Sequence, residues 1–338
     1  MREVVFLMGE PLFYLGAMPV TPWALCVTLG SLAAAAVIFF LGVRRKISDG
    51  ALCLFLPLTA ALGIFLGHGL FAVVADLLDP YVGESMGLSL LGYVFRPDKG
   101  GYMSLGVLGG LFLSALIVSK AKKVSFQELL KIGLPGVLLA IGVAKWGEWL
   151  CGMGTGPEAS TCFFPVSFTP EPEYPEWRVI AVFWLGGLYA VGLALWGIFG
   201  ALKKNGVRPV TLLVVYLAGQ VFWDMLREDS YVHYLAMNFV RMDQLFSVLI
   251  MAGIMVWATI KIKQNGGKGT VRWWVLMLVS VGLCVGLQFL FDKPLPLPGG
   301  VLIYPPTWLV YTLIGLTAVG MAISTLKLLD KARKTGRK

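Results

Sequence analysis

The sequence predicts an all-α integral membrane protein, a polytopic bundle of about nine transmembrane helices. The first reason is composition: 57% of the 338 residues are hydrophobic, only 14% are charged, and the mean hydropathy is +0.79. A soluble domain of this length carries more charge and fewer apolar residues. The second reason is pattern, because the apolar residues form separate stretches close to the ~20 residues that cross a bilayer.

The predicted spans follow one another along the whole chain. They lie near residues 21–43, 50–74, 103–119, 128–152, 178–202, 209–226, 239–260, 273–291 and 306–326. The third and sixth spans are short, so a seven-helix count with a looser C-terminus is an alternative. We predict two parts: a membrane core at residues 1–265, and two additional transmembrane helices with a basic tail at residues 266–338.

The basic residues predict the orientation, because Lys and Arg accumulate in short cytoplasmic loops. Twenty of the 28 basic residues fall on one face, in five clusters at residues 44–46, 120–131, 203–208, 261–272 and 327–338. The opposite face holds most acidic residues. We therefore expect the N-terminus outside and the C-terminus in the cytoplasm. The net charge of +9 then reflects topology and attraction to anionic membrane lipids, and nothing else indicates a nucleic-acid partner.

The five cysteines predict no metal site, and we expect no cofactor. Cys26, Cys53 and Cys284 fall in predicted spans, where cysteine is usually a small apolar filler. Cys151 and Cys162 flank a glycine-rich turn on the outer side, so an oxidising exterior could join them.

Titratable residues occur at one depth in four spans, in the outer leaflet according to the predicted orientation. They are Lys145 and Glu148 in the fourth span, Asp224 and Arg227 at the sixth, Arg241 and Asp243 at the seventh, and His68 in the second. Such residues usually face the bundle interior or a water-filled cavity. We therefore expect a polar cavity that opens outward or sideways. The alternative is that each pair three residues apart is a local salt bridge that neutralises itself.

Glycines are frequent in the third and fourth spans. They include Gly106, Gly109, Gly110, Gly142, Gly147 and Gly152. Close helix packing explains most of them, but the same positions could admit a lipid headgroup beside the backbone.

Three motifs, in this order and at this membrane depth, resemble the prolipoprotein diacylglyceryl transferase family over roughly residues 10–262. GGYMSLGVLGGL at residues 100–111 is similar to the family's GG-M-S-F-HGGL element, and AKWGEWLCGMGTG at 144–156 to its GR-x-GN-F-x-NGE-x-x-G signature. Residues 224–247 resemble the late block that begins E-F-x-R-x-P-D and ends S-M-G-Q-x-L-S. In the second span GHGLF at 67–71 is similar to RIGYVLF.

The resemblance implies a seven-helix core and a function in lipoprotein biosynthesis in the bacterial cell membrane. The family transfers diacylglycerol from phosphatidylglycerol to the lipobox cysteine in the signal peptide of a prolipoprotein, and a thioether is formed at the outer leaflet. The implied partners are phosphatidylglycerol, the prolipoprotein signal peptide and membrane lipids.

The resemblance also suggests roles for residues. The candidate catalytic residues are His68, Lys145, Glu148 and Asp224. The candidate substrate-binding residues are Arg227, Arg241, Gln220, Gly109, Gly110, Gly147 and Gly152.

Several positions depart from the family motifs. The signature arginine is Lys145, the next asparagine is Glu148, and an arginine of the late block is Gln220. The second asparagine and the glutamate of the signature are Cys151 and Met153. The HGGL histidine is absent, and its place falls on a glycine or a leucine. His68 is therefore the candidate base.

These departures leave alternatives open. The chain could be a catalytically altered relative that binds or transports lipid or an amphiphilic substrate without transfer. A transporter or a sensor on the same scaffold is a third possibility.

Overall fold

The computed structural model describes residues 11–16, 18–78, 92, 94–95, 101–159, 166–169, 176–203, 206–228, 240–292, 295–296, 302–303 and 306–336. Nine helices occur in this part of the chain. They are α1 (Pro22–Arg44), α2 (Asp49–Leu78), α3 (Ser104–Lys122), α4 (Phe126–Leu150), α5 (Val182–Leu202), α6 (Pro209–Met225), α7 (Met242–Gln264), α8 (Val271–Asp292) and α9 (Thr307–Thr335).

The helices confirm the prediction of a polytopic helical protein. Eight of them are long and apolar enough to cross a membrane, and α6, with 17 residues, is shorter. At 1.5 Å per residue α6 is about 26 Å long, near the lower limit for a span. Both C-terminal helices belong to the eight, which does not support the looser C-terminus of the seven-helix alternative.

Short strands that the sequence analysis did not predict occur between the helices. They are β1 (Phe13–Leu15), β2 (Met18–Val20), β3 (Thr155–Glu158), β4 (Ser167–Phe168), β5 (Val179–Ala181), β6 (Leu295–Pro296) and β7 (Leu302–Ile303). β3, β5 and β4 form an antiparallel sheet in that order, between the end of α4 and the start of α5. β1 pairs with β2 and β6 with β7.

The chain divides into two compact units. The first runs to Leu212 and includes Arg227 and Glu228, and the second comprises Leu213–Leu226 and the described residues from 240 onward. In the second unit α8 packs on α9, and α9 packs on α7.

Helix α4 is the centre of the first unit, where it packs against α1, α3 and α5. Glycines allow these close approaches because they have no Cβ atom. A Cβ at Gly142 would lie 2.9 Å from the carbonyl oxygen of Gly187 on α5. Helices α2 and α3 approach as closely, because a Cβ at Gly110 would lie 2.5 Å from the backbone nitrogen of Gly63. Small residues at such contacts let backbones meet, and van der Waals packing then stabilises the helix pair.

Arg45 ties three helices together at the basic end of the first unit. Its Nε donates to the carbonyl oxygen of Ala201 at 2.9 Å, and its guanidinium pairs with Glu128 at 3.2 Å. Glu128 also pairs with Lys131. The end of α1, the start of α4 and the end of α5 are thereby held at one level.

Candidate functional site

Two cationic side chains lie against the ring of Phe183 in the first unit. Lys145 Nζ is 4.4 Å from the ring centroid, and the Arg227 guanidinium carbon is 4.3 Å from it. Lys145 is only 8% exposed and Phe183 only 6%. A ring face attracts cations, and burial strengthens that attraction. The structure therefore brings together two of the predicted site residues, from α4 and from the segment after α6.

Neighbouring backbone holds the Phe183 ring in place. Phe183 N donates to the carbonyl oxygen of Gly154 at 3.2 Å. Gly154 has a φ of +71°, and a Cβ there would overlap the Phe183 ring. Beside it Trp146 Nε1 donates to the carbonyl oxygen of Trp184 at 3.1 Å. The start of α5 is thus fixed against the last turns of α4.

The Arg227 segment is anchored to the sheet of the first unit. Glu228 N donates to the carbonyl oxygen of Thr155 in β3 at 2.9 Å. The two residues that form this hydrogen bond, Glu228 and Thr155, directly follow Arg227 and Gly154 in the chain. The backbone therefore fixes both the cation and the ring that it contacts.

Glu148 lies on the last turn of α4, half-buried. Three residues earlier on the same helix, Lys145 lies over the ring of Phe183.

Cys151 ends α4 beside this region. Burial raises the pKa of its thiol, the nearby Glu148 and Cys26 raise it further, and a hydrogen bond with the Trp23 backbone opposes them. A raised pKa lowers the fraction of reactive thiolate. The predicted partner Cys162 lies outside the described residues, so the disulfide stays a prediction.

His68 is fully buried at the junction of α2 and α3. Its Nδ1 lies 3.1 Å from the carbonyl oxygen of Gly101, and its ring is 5.7 Å from that of Tyr102. A carbonyl only accepts, so Nδ1 is the donor in this hydrogen bond. Tyr102 also stacks on Trp23 at 5.4 Å. A Cβ at Gly147 of α4 would lie 3.1 Å from Trp23 Cα, so a chain of contacts connects His68 with the end of α4.

The four predicted binding glycines differ in their surroundings. Gly110 lies against α2, and Gly147 lies against α1, where a Cβ would be 2.7 Å from that of Cys26. Helix packing accounts for both. Among the described residues nothing lies within 4 Å of a Cβ at Gly152, and a Cβ at Gly109 would meet one side-chain atom at 4.0 Å. Helix packing therefore does not account for these two glycines.

The second unit contains a buried chain of hydrogen bonds along α6. Tyr216 OH donates to Gln220 Oε1 at 3.2 Å, and Gln220 Nε2 donates to Asp224 Oδ2 at 2.8 Å. All three side chains are at most 2% exposed. The chain therefore fixes the amide of Gln220 and orients Asp224.

Helix α7 adds further polar groups to the second unit. Arg241 N donates to Gln244 Oε1 at 3.1 Å, and Gln244 Nε2 donates to the carbonyl oxygen of Val221 on α6 at 3.3 Å. Arg241 is 4% exposed. One turn further, the buried Ser247 Oγ has no hydrogen-bond partner among the described residues.

Phe183, Tyr216 and Gln244 were not among the site residues predicted from the sequence. Tyr216 lies four residues before Gln220, a spacing that places both on one helix face and could have indicated the pair. Gln244 belongs to the late motif. Phe183 is one of many aromatic residues in spans, and no sequence signal distinguishes it.

Comparison with known proteins agrees with the motifs. The family model described as prolipoprotein diacylglyceryl transferase matches residues 10–259. A phosphatidylglycerol–prolipoprotein diacylglyceryl transferase of Listeria welshimeri is 25% identical over 187 residues, which are 51% of this chain and 64% of that protein. An enzyme of the same name from Clostridium perfringens, numbered 1, is 29% identical over 185 residues, 50% of this chain and 66% of its own length.

Both relatives are thus matched over somewhat less than two thirds of their length. The family match covers all of the candidate site residues and ends within α7. The chain belongs to the prolipoprotein diacylglyceryl transferase family.

Proposed function

We propose that this protein transfers diacylglycerol from phosphatidylglycerol to the lipobox cysteine in the signal peptide of a prolipoprotein. The reaction takes place at the outer leaflet of the bacterial cell membrane, among the membrane lipids. The N-terminus lies outside and the C-terminus in the cytoplasm. The observation that carries the proposal is the pair of cations on Phe183, within a chain of this family.

Lys145 and Arg227 suit a phosphate diester. The buried Lys145 and the half-buried Arg227 repel each other on one ring, and an anion between them lowers that cost. Arg227 supplies a planar fork for two phosphate oxygens, whereas Lys145 supplies a compact charge. The charge of the phosphate grows from about −1 in the lipid towards about −2 in the leaving group. Fixed cations therefore stabilise the transition state more than the bound substrate.

In the proposed reaction every bond, electron pair and proton is accounted for, and a residue of this chain accepts the proton. The cysteine sulfur attacks the diacylglyceryl carbon next to the phosphate, so a carbon–sulfur bond forms and a carbon–oxygen bond breaks. The electron pair leaves with the oxygen of glycerol phosphate. The thiol proton goes to Nε2 of His68, since Nδ1 is committed to Gly101. A positioned base contributes roughly 10² to 10⁴ in rate, so His68→Ala should lose at least about a hundredfold.

The remaining site residues have supporting roles in the proposal. Glu148 lowers the local positive charge and favours release of the product. In the second unit Asp224, Gln220 and Arg241 provide polar contacts for the substrates. Substitution of each, with transfer as the readout, tests these roles separately from those of the cations.

Mass spectrometry of a lipobox peptide tests the proposed function. The purified protein is placed in vesicles that contain phosphatidylglycerol or, as the control, only phosphatidylcholine. We expect the peptide cysteine to gain one diacylglyceryl group, with one glycerol phosphate released per modified peptide, in the first vesicles alone. An unmodified peptide in both vesicles would contradict the proposal.

A second candidate is a relative that binds lipid without transfer. The hydrogen bonds of Gln220 favour it, because a neutral amide held between Tyr216 and Asp224 replaces an arginine of the family motif. Retention of phosphatidylglycerol by a protein that leaves the peptide unmodified would support this candidate. Solute movement into sealed vesicles would instead indicate a transporter.

The orientation has its own test. A tag after the C-terminal residue should resist protease added to intact spheroplasts and become sensitive after lysis. Digestion before lysis would reverse the proposed topology.

A further inference from the structure

The two helices after the family match contact the last turn of α6 in the second unit. Cys284 Sγ on α8 lies 3.3 Å from Met225 Sδ. Gly315 on α9 faces Phe222, whose ring carbon Cε2 would lie 3.5 Å from a Cβ at that glycine. Both added helices therefore touch this turn, which also carries Asp224.

The same turn is held from other directions. Gln244 of α7 donates to the carbonyl oxygen of Val221, and Gln220 donates to Asp224 from one turn earlier. Phe222 also packs edge-on against Trp223, with ring centroids 5.0 Å apart. The last carbonyls of a helix have no partner within the helix, and its end frays unless other groups hold it. In a helix as short as α6 these lateral contacts decide where the final turn lies.

We propose that α8 and α9 position Asp224 for the transfer reaction, and that Gly315 and Cys284 are the positioning residues. The inference rests on the proposed function, in which Asp224 contacts substrate. It assigns a role to the part of the chain that lies beyond the family match. Gly315 leaves room for the Phe222 ring, and Cys284 contacts the residue that follows Asp224.

The decisive variant is Gly315→Leu, which places a branched side chain where the Phe222 ring lies. Gly315→Ala is the matched control, because a Cβ at 3.5 Å makes an ordinary contact. Gly282→Leu on α8 is the second control, since no described residue lies within 4 Å of a Cβ at that position. Misplacing a reacting group by about 1 Å can cost roughly a hundredfold in rate. We expect Gly315→Leu to lower transfer at least about tenfold and both controls to stay within about twofold.

A double-mutant cycle separates positioning from general damage. In an Asp224→Asn background Gly315→Leu should cause no further loss, because the group that it displaces is already disabled. Adding Phe222→Ala to Gly315→Leu should restore space and recover most of the transfer. Equal losses in both backgrounds would overturn the inference.

A second measurement does not depend on activity. Asp224 is 1% exposed, so an apolar carbodiimide should label its carboxyl slowly. We expect Gly315→Leu to raise the labelling rate several-fold, as read by peptide mass spectrometry, and Gly315→Ala to leave it unchanged. Unchanged labelling in Gly315→Leu would overturn the inference. Absence of transfer by the unmodified protein would instead contradict the proposed function, and the labelling experiment would still decide the inference.

Discussion

Replacing Lys145 with alanine removes one of the two cations on Phe183 and keeps the other, Arg227. Lys145 is 8% exposed, so water screens its charge only weakly. A unit charge about 4 Å away interacts by roughly 4 kcal/mol at an effective dielectric constant near 20. The phosphate gains about one unit of charge on the way to the leaving group. With about 1.4 kcal/mol per factor of ten, Lys145→Ala should lower kcat/KM by about 10² to 10³.

The assay is transfer of labelled diacylglycerol to a lipobox peptide in detergent or vesicles. Lys145→Arg, which restores the family's residue, should keep most of the activity, because it supplies charge and a phosphate fork. Lys122→Ala is the control for loss of one positive charge, because Lys122 is exposed at the C-terminal end of α3. Activity of Lys145→Ala within about threefold of the unmodified protein would refute the electrostatic reasoning.

Three further predictions follow from the packing and from a pKa. Gly154→Ala should lower Tm by several degrees and reduce transfer, because the new methyl group meets the Phe183 ring at a φ of +71°; an unchanged Tm would contradict the contact. Gly110→Ala should destabilise the protein by about 1–3 kcal/mol, since its Cβ would meet the α2 backbone, whereas Gly109→Ala should be nearly neutral; thermal unfolding of both in one detergent compares them. Alkylation of reduced Cys151 should reach half its maximal rate at a pH above that of an unfolded peptide thiol, because its raised pKa keeps the thiol protonated longer; equal midpoints would contradict the burial.

The helices could be predicted from the sequence because each span is a long apolar run. Composition alone separates such runs from loops, so seven of the eight longer helices lie within a few residues of their predicted positions, whereas α9 runs to Thr335, well beyond its predicted end at residue 326. The short strands could not be predicted, since β4 has only two residues and a pairing of that length leaves no periodic pattern. The prediction of α6 was accurate in position, and with 17 residues it is the shortest of the nine described helices.

Part of the candidate site could also be predicted. Charged residues within membrane spans are usually functional, and this rule indicated Lys145 and Arg227. The structure places both on one ring. The rule that spaced glycines admit lipid was less specific, because Gly110 and Gly147 serve helix packing. Phe183 could not be found from sequence, since its importance arises only when two distant segments meet at its ring.

The most direct test of the account is a double-mutant cycle of Lys145→Ala and Arg227→Ala on transfer from phosphatidylglycerol. If the two cations hold one phosphate, either single variant should lose most of the rate and the double variant should lose little more, because groups that act as a unit are not additive. Losses that multiply independently would contradict a shared phosphate site on Phe183.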